Sequence, residues 1–515
     1  MSIMFYQQLF ISTLIPLVSL YLYFRSCSRS KKPSVLPRNW PIVHMFPSFI
    51  ANLNYLHDYF TMVLARSGHN FRAHGLPGTG MRFFITCDPP NVQHIFTTNY
   101  VNFPKGAEFA AVYDIMGGSL FTIDGEPCRR LRRIFQSMLS NPRFVASMAA
   151  CCCNKVENIL LPLFSHLASR SATFDMQEGM SRLMFDLATM SLYGIDPGLL
   201  SSDMPPMDAA IAMDTVMEVG FLRQGVPGFY WRLMRRLGIG FERKLSAAHK
   251  VLQEFITEMI EKRKTQRGRV GLGHGEEQDG VDFLACIVKE NYADDELFRA
   301  MLISYMIAAR DTVTAVLPWI FYNLAQNPSI VSIIRDELSP IASQKDDGHE
   351  AGTTAMLIFY PEETKSLVYL KAALYETLRL YPPGPFERKT VVADDIMPSG
   401  HEVRSGDTII ISFYSMGRME GVWGNDCLVY NPKRWLSEDG SKLRYVPSHK
   451  FVAFNSGPRM CLGKDIAIML MTTVVAAVVW NFDVHLVEGQ RIKPKWSSIL
   501  EMKDGLKVNL KKRQV

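Results

Sequence analysis

Residues 454–463 combine one cysteine with two glycines and an arginine. Cys461 directly precedes an apolar helical pattern, so backbone N–H groups and the helix dipole can keep its thiolate deprotonated as a metal ligand. Gly457 and Gly463 allow the backbone to pass close to a flat ligand where a Cβ would clash. Arg459 supplies a fixed cation for a carboxylate on that ligand. A buried cysteine in a glycine-containing turn is the alternative, but five specified positions in ten residues favour a site for a flat, metal-containing group.

Two other helical segments carry residues that could do chemistry. Glu376 and Arg379 lie at i and i+3, so they share one helix face and can pair with each other. Taken alone, such a pair is usually solvated at a surface. Asp311 and Thr312 lie among apolar residues at helical spacing, where an acid and a hydroxyl could pass protons. Taken alone, that segment is better explained as an amphipathic core helix with one buried threonine.

The pattern F-x-x-G-x-R-x-C-x-G of residues 454–463 resembles the haem-binding loop of the cytochrome P450 family, the haem-thiolate monooxygenases. The resemblance covers essentially the whole chain and implies a single large cytochrome P450 fold, mainly α with a small β region. It implies haem b as the cofactor, with Cys461 as its axial metal ligand. It also implies O2 and NADPH as cosubstrates, with electrons supplied by NADPH–cytochrome P450 reductase. The other cofactor-binding positions that the resemblance gives are Phe454, Gly457, Arg459 and Gly463.

Two further motifs match the family in order and spacing. Glu376 and Arg379 resemble its E-x-x-R, which implies, together with Arg434, a buried structural triad behind the haem. The family's D-G-x-x-W-x-x-x-R is matched with Arg132 at its end, and this implies a contact between Arg132 and a haem propionate. Cys128 replaces the tryptophan of that motif, which puts the second propionate contact in question.

Residues 308–312 resemble the family's A-G-x-D-T, on the helix that crosses the oxygen-binding face. The resemblance implies Thr312 and Asp311 as the catalytic residues, which deliver protons for cleavage of the O–O bond of dioxygen. The axial thiolate favours the same cleavage. The resemblance also implies that the reductase docks on an outward-facing basic patch formed by Arg129, Arg130 and Arg133.

Within the family, the chain is similar to the plant branch that contains fatty-acid ω-hydroxylases and midchain alkane hydroxylases. It departs from that branch on the helix of Thr312, where Ala309 replaces a glycine, Val313 replaces a second threonine and Pro318 favours a kink. Positions carried over to the substrate pocket are largely apolar or aromatic, which suits a lipophilic or phenolic molecule. They are Phe109, Tyr113, Leu120, Tyr305, Ala308, Ala309, Gly384, Phe386 and Ile499.

The departures make the chain similar to the Amaryllis-family branch that forms noroxomaritidine by intramolecular para-para′ C–C phenol coupling of 4′-O-methylnorbelladine. The leading hypothesis is therefore phenol coupling, and hydroxylation of long-chain alkanes or fatty acids is the alternative. A non-catalytic haem-binding sensor is a remote alternative from another class, and it would leave Asp311 and Thr312 unexplained.

These motifs lie on elements that the rest of the sequence predicts. The chain has 515 residues, 48% hydrophobic and 21% charged, enough to bury a large core. Apolar residues recur at helical spacing in 245–260 and 302–313, whereas strand-like stretches are short: 82–87, 407–412 and 506–510. Polar stretches at 266–280 and 344–352 are predicted surface loops. The sequence predicts one mainly helical catalytic domain over residues 46–515.

An apolar run at residues 4–24 precedes this domain and would span about 31 Å as a helix, which matches a bilayer core. The basic residues of the first fifty all follow the run: Arg25, Arg29, Lys31, Lys32 and Arg38. The positive-inside rule therefore predicts a single-pass signal anchor at 1–24 and a basic, proline-rich linker at 25–45. The catalytic domain is expected on the cytosolic side of the endoplasmic reticulum membrane. A buried N-terminal helix is the less favoured alternative.

The same five residues carry most of the net charge of +6. Because the remainder of the chain is nearly neutral, no nucleic-acid-binding surface is expected. A second contact with membrane lipid is predicted at residues 221–231, beside the pocket entrance, although a helix-connecting loop packed on the body explains that segment nearly as well.

Overall fold

The computed structural model describes residues 36–37, 45–75, 81–270, 295–346 and 356–513. Most of these residues are helical and the strands are short, so the predicted mainly α fold with a small β region is confirmed. The predicted anchor, 1–24, lies outside the described residues, as does almost all of the predicted linker, 25–45.

The first half of the described chain is a succession of helices joined by short turns. Proline stands in the first turn of several of them, where a missing N–H costs nothing because that group would be unpaired. The helices are α1 (Phe46–Ala51), α2 (Leu56–Arg66), α3 (Pro89–Gln93), α4 (Gly106–Val112), α5 (Gly125–Leu139), α6 (Pro142–Lys155), α7 (Leu161–Ser169), α8 (Met176–Tyr193), α9 (Asp208–Gln224), α10 (Gly228–Leu237) and α11 (Gly240–Val270).

The second half contains the longest buried helices. They are α12 (Asp295–Gln326), α13 (Pro328–Asp346), α14 (Pro361–Thr364), α15 (Val368–Leu380), α16 (Phe413–Met416), α17 (Glu420–Trp423) and α18 (Lys464–Asn481). Two of the predicted loops begin as helix, because α11 runs to Val270 and α13 to Asp346. The rest of those loops, up to residues 280 and 352, lies largely outside the described residues.

The strands form small sheets at the edges of the helical body. A four-stranded sheet has the order β1 (Asn70–His74), β2 (Arg82–Thr86), β7 (Thr408–Ser412) and β4 (Phe386–Thr390). A three-stranded sheet has the order β3 (Thr173–Asp175), β9 (Lys507–Lys512) and β8 (Phe482–Leu486), and β5 (Asp395–Ile396) pairs with β6 (Glu402–Val403). The strands predicted at 82–87, 407–412 and 506–510 are therefore confirmed to within two residues.

The core surrounds α12, which packs against α8 along one side and contacts α15 and α18 on others. Apolar residues of α12 such as Leu302, Val316 and Ile320 are almost completely buried, as are Val474 and Val475 of α18. Burial of each such side chain stabilises the fold by roughly 1.5–3 kcal/mol. The helix continues through Pro318, which has no N–H to donate to the Thr314 carbonyl.

Three helical stretches among the described residues are long and apolar enough to cross a membrane: Pro142–Ser169, Glu296–Gln326 and Lys464–Asn481. In the latter two, 78% and 72% of the apolar window is buried inside the domain. The apolar residues of these two helices therefore pack in the core of the domain.

A backbone bridge between Pro494 and Met502 folds the segment before β9 into a loop, which brings Ile499 and Glu501 toward α12.

Candidate functional site

The cysteine loop is closed by backbone hydrogen bonds. The Cys461 N–H donates to the Phe454 carbonyl at 2.8 Å, and residues Gly457–Arg459 form a 3₁₀ turn between them. Gly463 caps the N-terminus of α18, which begins at Lys464. Cys461 therefore stands directly before a helix N-terminus, in the position that the sequence predicts.

The Cys461 side chain is surrounded by protein yet keeps accessible surface, so it lines a crevice rather than the packed core. Burial raises the pKa of the thiol, while the Gly463 N–H and the Arg132 guanidinium act to lower it. Burial is the larger effect, so the pKa of the Cys461 thiol lies above its ordinary value. Coordination of the sulfur to a metal cation would lower that pKa and keep the thiolate ionised, as the sequence predicts.

The two loop glycines have different roles. Gly457 has a φ of +59°, and a Cβ there would lie 2.0 Å from the Phe96 carbonyl oxygen. The close approach of the backbone of residue 96 is therefore a further reason for glycine at this position, and the predicted approach of a flat ligand stays a prediction. A Cβ on Gly463 would meet no protein atom within 4 Å, although the residue is half-buried beside Cys461. Gly463 thus remains compatible with a ligand packed against it.

Two arginines connect the loop to neighbouring segments. Arg132 of α5 donates to the Met460 carbonyl at 2.6 Å, and the adjacent Cys128 is buried in the motif position predicted for tryptophan. Arg459 donates to Asp124 Oδ1 at 2.5 Å and to the Leu120 carbonyl at 3.2 Å. Asp124 also accepts from two backbone N–H groups, so burial, which alone would raise its pKa, is outweighed and the pKa is lowered.

Two buried lysines near Arg459 were missed by the sequence interpretation. Lys105 and Lys389 are 6% and 3% exposed, and both pair with the Glu387 carboxylate, at 3.6 and 3.3 Å. Burial lowers the pKa of Lys105 to about 8 and also lowers that of Lys389, and each feels the Arg459 charge. Alternate side chains of a strand share a face, so Glu387 and Lys389 lie on one face of β4. This alternation is the sequence signal that could have predicted their pairing.

The structure brings the predicted triad together. Glu376 accepts two hydrogen bonds from Arg379, at 2.7 and 2.8 Å, and its Oε1 lies 3.5 Å from Arg434 Nε. The Glu376 carboxylate also accepts from the Asn431 N–H and from the Trp435 indole, both at 2.9 Å. Trp435 was missed, although it directly follows Arg434 in the chain.

On α12 the two predicted catalytic residues have different partners. The Thr312 hydroxyl donates to the Ala308 carbonyl at 2.9 Å, one turn earlier. The buried Asp311 carboxylate accepts from Arg310 at 2.9 Å, and burial raises its pKa to about 8. Ala308 is exposed and Ala309 half-buried in the middle of an otherwise buried helix. This face of α12, with half-buried Thr312, therefore borders a crevice inside the domain.

Most of the predicted pocket residues gather at one place. The rings of Phe109, Tyr113 and Phe121 pack together with centroids 5.0–5.3 Å apart, and Leu120 touches Arg459 through its carbonyl. The Tyr113 hydroxyl lies 2.5 Å from the Ser498 hydroxyl and also accepts from Gln224 at 3.1 Å.

The loop of Gly384 and Phe386 joins the same group, because the Leu500 N–H beside Ile499 donates to the Pro383 carbonyl at 2.8 Å. The Phe386 ring lies 5.7 Å from Phe221 of α9. Tyr305 is held differently: its hydroxyl lies 2.9 Å from Ser191 of α8. The structure therefore ties Tyr305 to α8 rather than to the other pocket positions.

The family model for cytochrome P450 matches residues 33–510. The chain belongs to the cytochrome P450 family. It is a monooxygenase-type oxidoreductase, and members of this family use a haem-thiolate centre, O2 and electrons from NADPH. They work with a reductase partner on lipophilic substrates, and plant members are typically membrane-anchored.

Similar plant members of the family carry different names. The chain is 36% identical over 488 residues to noroxomaritidine synthase 2 of Narcissus aff. pseudonarcissus MK-2014, covering 95% of this chain and 93% of the relative. It is 34% identical over 506 residues to alkane hydroxylase MAH1 of Arabidopsis thaliana, covering 96% and 97%. It is 35% identical over 495 residues to cytochrome P450 86B1 of Arabidopsis thaliana, covering 95% and 87%. The predicted plant branch is confirmed.

The charges around the cysteine loop fit haem b. Four cations and two carboxylates lie there, which leaves two positive charges when all are ionised. Haem b carries two propionates, so its bound form would neutralise this excess and relieve the burial of the lysines. The six groups are Arg132, Arg459, Lys105, Lys389, Asp124 and Glu387.

Proposed function

We propose that this cytochrome P450 couples two phenol rings within one substrate molecule, as in the para-para′ C–C coupling of 4′-O-methylnorbelladine to noroxomaritidine. The carrying observation is a group of packed aromatic rings, at positions predicted to line the pocket, that ends in a hydrogen-bonding group. An alkyl chain offers that group no partner, and an unpaired buried polar atom is costly. Similarity along 95% of the chain to a noroxomaritidine synthase supports the proposal.

The hydrogen-bonding group consists of Tyr113, Ser498 and Gln224. Burial raises the pKa of Tyr113 to about 12, so its hydroxyl stays protonated and can donate or accept. The Gln224 Oε1 atom is buried and has no hydrogen-bond partner among the described residues. A substrate phenol is a suitable donor to it, and the rings of Phe109 and Phe121 would orient the attached aromatic ring by edge or offset contacts.

The cofactor would be held by Cys461, with Phe454, Gly457 and Gly463 shaping its loop. Arg132, Arg459, Lys105 and Lys389 would face the propionates, which compensates for Cys128 in place of tryptophan. Glu376, Arg379 and Arg434 would keep the region behind the loop rigid. When bound, haem supplies activation of O2 with two electrons from NADPH.

Thr312 and Asp311 would deliver the protons that this activation needs. In phenol coupling the substrate loses two hydrogen atoms and gains one C–C bond. The two hydrogen atoms from the substrate, the hydride of NADPH and one proton together reduce O2 to two molecules of water. No oxygen therefore enters the product.

Hydroxylation of long-chain alkanes or fatty acids is the second candidate, favoured by 34% identity to an alkane hydroxylase over 96% of the chain. Incubation of the full-length protein with reductase and NADPH separates the two. 4′-O-methylnorbelladine should give a product lighter by two hydrogens, and alkanes and fatty acids should give none. Products heavier by one oxygen from the alkyl substrates alone would refute phenol coupling.

The role of Cys461 has its own test. The reduced protein with carbon monoxide should show the red-shifted thiolate band, and Cys461→Ala should abolish it. Cys151→Ala, a half-buried cysteine on α6, is the matched control and should keep the band. A folded protein without the band would favour the haem-binding sensor.

We also propose that residues 1–24 anchor the chain in the endoplasmic reticulum membrane, that 25–45 are the linker and that 46–515 form the cytosolic catalytic domain. A second lipid contact is proposed at residues 221–231. Phe229 and Tyr230, in the first turn of α10, are 68% and 47% exposed, while Trp231 is buried under Arg223. Membrane flotation of a variant that lacks residues 1–24 tests the second lipid contact. Loss of all membrane binding in this variant would contradict the second contact and leave residues 1–24 as the membrane anchor.

A further inference from the structure

A buried arginine holds the chain on both sides of Tyr113. Arg223, in the last turn of α9, is 2% exposed. One terminal nitrogen of its guanidinium donates to the Val112 carbonyl at 2.7 Å and to Asp114 Oδ1 at 2.9 Å. The other two nitrogens donate to the two Glu242 oxygens of α11, both at 2.7 Å. One side chain therefore joins α9 and α11 to the segment that carries Tyr113.

Residues of α10 complete this buried group. Arg235 donates to Glu242 Oε2 at 3.1 Å and also pairs with Asp114. The Trp231 ring covers the Arg223 guanidinium, whose carbon lies 4.4 Å from the ring centroid. Burial alone would raise the pKa of Asp114, but hydrogen bonds from the two arginines and their charges outweigh it and lower the pKa. We call Arg223, Arg235, Asp114 and Glu242 the Arg223 cluster.

The same turn of α9 also contacts Tyr113 directly. A Cβ on Gly220 would lie 2.2 to 2.9 Å from three carbon atoms of the Tyr113 ring, so only glycine lets the ring pack against the helix here. The Gln224 amide nitrogen donates to the Tyr113 hydroxyl at 3.1 Å. Gly220, Arg223 and Gln224 lie at i, i+3 and i+4 and share one helix face. This face therefore fixes the Tyr113 ring, its hydroxyl and the backbone on either side of it.

Fixing Tyr113 also fixes an acceptor that lacks a donor. The Gln224 Oε1 atom is buried and has no hydrogen-bond partner among the residues that the structure describes. Because the amide nitrogen of the same group is held by the Tyr113 hydroxyl, the direction of Oε1 is set as well. A buried acceptor without a donor is unfavourable, and a ligand that brings an O–H group removes that cost.

We propose that the Arg223 cluster makes the pocket select a free phenolic hydroxyl, with Arg223 as the positioning residue for Tyr113 and Gln224. The proposal rests on the proposed phenol coupling and names the substrate group that is recognised. The phenolic O–H donates to Gln224 Oε1. The methyl ether of the same phenol has no proton to donate, so it leaves that oxygen unpaired and binds more weakly.

The test compares binding of two probes to the purified full-length protein by calorimetry. They are 4′-O-methylnorbelladine and the same molecule with every phenol methylated. Binding is compared, because coupling itself requires free phenols and turnover would not isolate recognition. The wild type should bind the free phenol about tenfold more tightly, in line with one buried hydrogen bond to an otherwise unpaired acceptor. Equal affinities in the wild type would overturn the proposal.

Two substitutions should reduce this selectivity without touching the substrate. Arg223→Lys keeps the charge but cannot reproduce the forked hydrogen bonds to Glu242, Val112 and Asp114. Gly220→Ala inserts a methyl group where the Tyr113 ring lies, and alanine favours the helix, so this variant decides the matter if Arg223→Lys does not fold. In each variant the affinity ratio should fall to about twofold, and for the free phenol KM should rise more than kcat falls.

Arg335→Lys is the matched control for loss of a structural arginine. Arg335 of α13 also donates to two backbone carbonyls and one carboxylate, of residues 479, 482 and 483. This variant should keep the wild-type affinity ratio even if its stability falls. An unchanged ratio in both Arg223→Lys and Gly220→Ala, or an equal loss of selectivity in Arg335→Lys, would overturn the positioning role.

A double substitution separates positioning from general damage. Gln224→Leu removes the acceptor and should abolish the selectivity by itself. Arg223→Lys added to Gln224→Leu should then reduce the ratio no further, because both act on the same hydrogen bond. A further, additive loss would contradict action of Arg223 through Gln224. Failure of the proposed function is a separate result: wild-type protein that binds the free phenol tightly but releases no product lighter by two hydrogens.

Discussion

The Glu376 cluster, made of Glu376, Arg379, Arg434 and Asp426, and the Arg310 cluster are both ionic but differ in charge balance. The members of the Arg310 cluster are Arg310, Asp311, Asp214, Glu501, Lys495 and Glu218. The first has two acids and two cations, and Glu376 receives hydrogen bonds from Arg379, Asn431 and Trp435. The second has twice as many carboxyl groups as cations. A balanced cluster whose central carboxylate is well hydrogen-bonded holds one geometry, whereas excess buried carboxyl groups favour retention of a proton near neutral pH.

This difference separates two tasks in one domain. The Glu376 cluster joins α15 to the segment of residues 431–435, behind the cysteine loop. The Arg310 cluster joins α12 to α8, α9 and the C-terminal loop on the pocket side. Disrupting the first should therefore act on stability, and disrupting the second on proton-dependent steps.

The largest expected effect on stability is at the balanced cluster. Glu376→Gln leaves buried cations without their carboxylate and should lower the free energy of unfolding by about 3–5 kcal/mol. Urea unfolding of the full-length protein in detergent measures it. Glu362→Gln, an exposed acid on α14, is the control and should change little. Equal losses in both variants would contradict the structural role of the Glu376 cluster.

At the unbalanced cluster the effect should fall on turnover. Asp311→Asn removes the proton donor and should lower the rate of product formation by about 10²-fold, in line with the usual contribution of a general acid. The reduced carbon monoxide band should be retained. Asp336→Asn, an exposed acid on α13, should behave as the wild type. Unchanged turnover in Asp311→Asn would remove this residue from proton delivery.

The two clusters should also differ in the pH dependence of stability. Because the folded-state pKa of Asp311 is raised to about 8 from an ordinary value near 3.8, the folded protein holds a proton that the unfolded chain has lost. Stability from this group is therefore greatest below the unfolded pKa and decreases as pH rises toward 8. Denaturant midpoints at several pH values should show a steeper decline in the wild type than in Asp311→Asn. Parallel curves would contradict the raised pKa.

The smallest effect is expected outside both clusters. Arg129 and Arg133 pair with Glu126, and their side chains are 55% and 74% exposed, so replacing them by Gln should leave stability unchanged. If this patch docks the reductase, electron transfer should slow several-fold at low salt and the difference should vanish at high salt. A salt-independent rate identical to the wild type would place the docking surface elsewhere.

Local patterns were sufficient for much of the fold and the site. The mainly helical class, three strands and the helix after Cys461 followed from periodicity and spacing, because these depend on neighbours within a few residues. The pairing of Glu376 with Arg379 is of this kind. Gly457 also has a close neighbour that its spacing could not reveal, because the Phe96 carbonyl belongs to another segment.

The sequence by itself determined the family, the cysteine loop and which residue types stand at the predicted catalytic positions, since each of these is written in a short stretch of chain. Only the tertiary structure decided which charges share a buried space. Asp214 lies 96 residues before Arg310, and Glu501 lies still farther away after it. None of the three belongs to a motif that pairs it with the others. Their coupling exists because the packing of α9, α12 and the C-terminal loop removes water from between them, and electrostatic interaction strengthens where water is excluded.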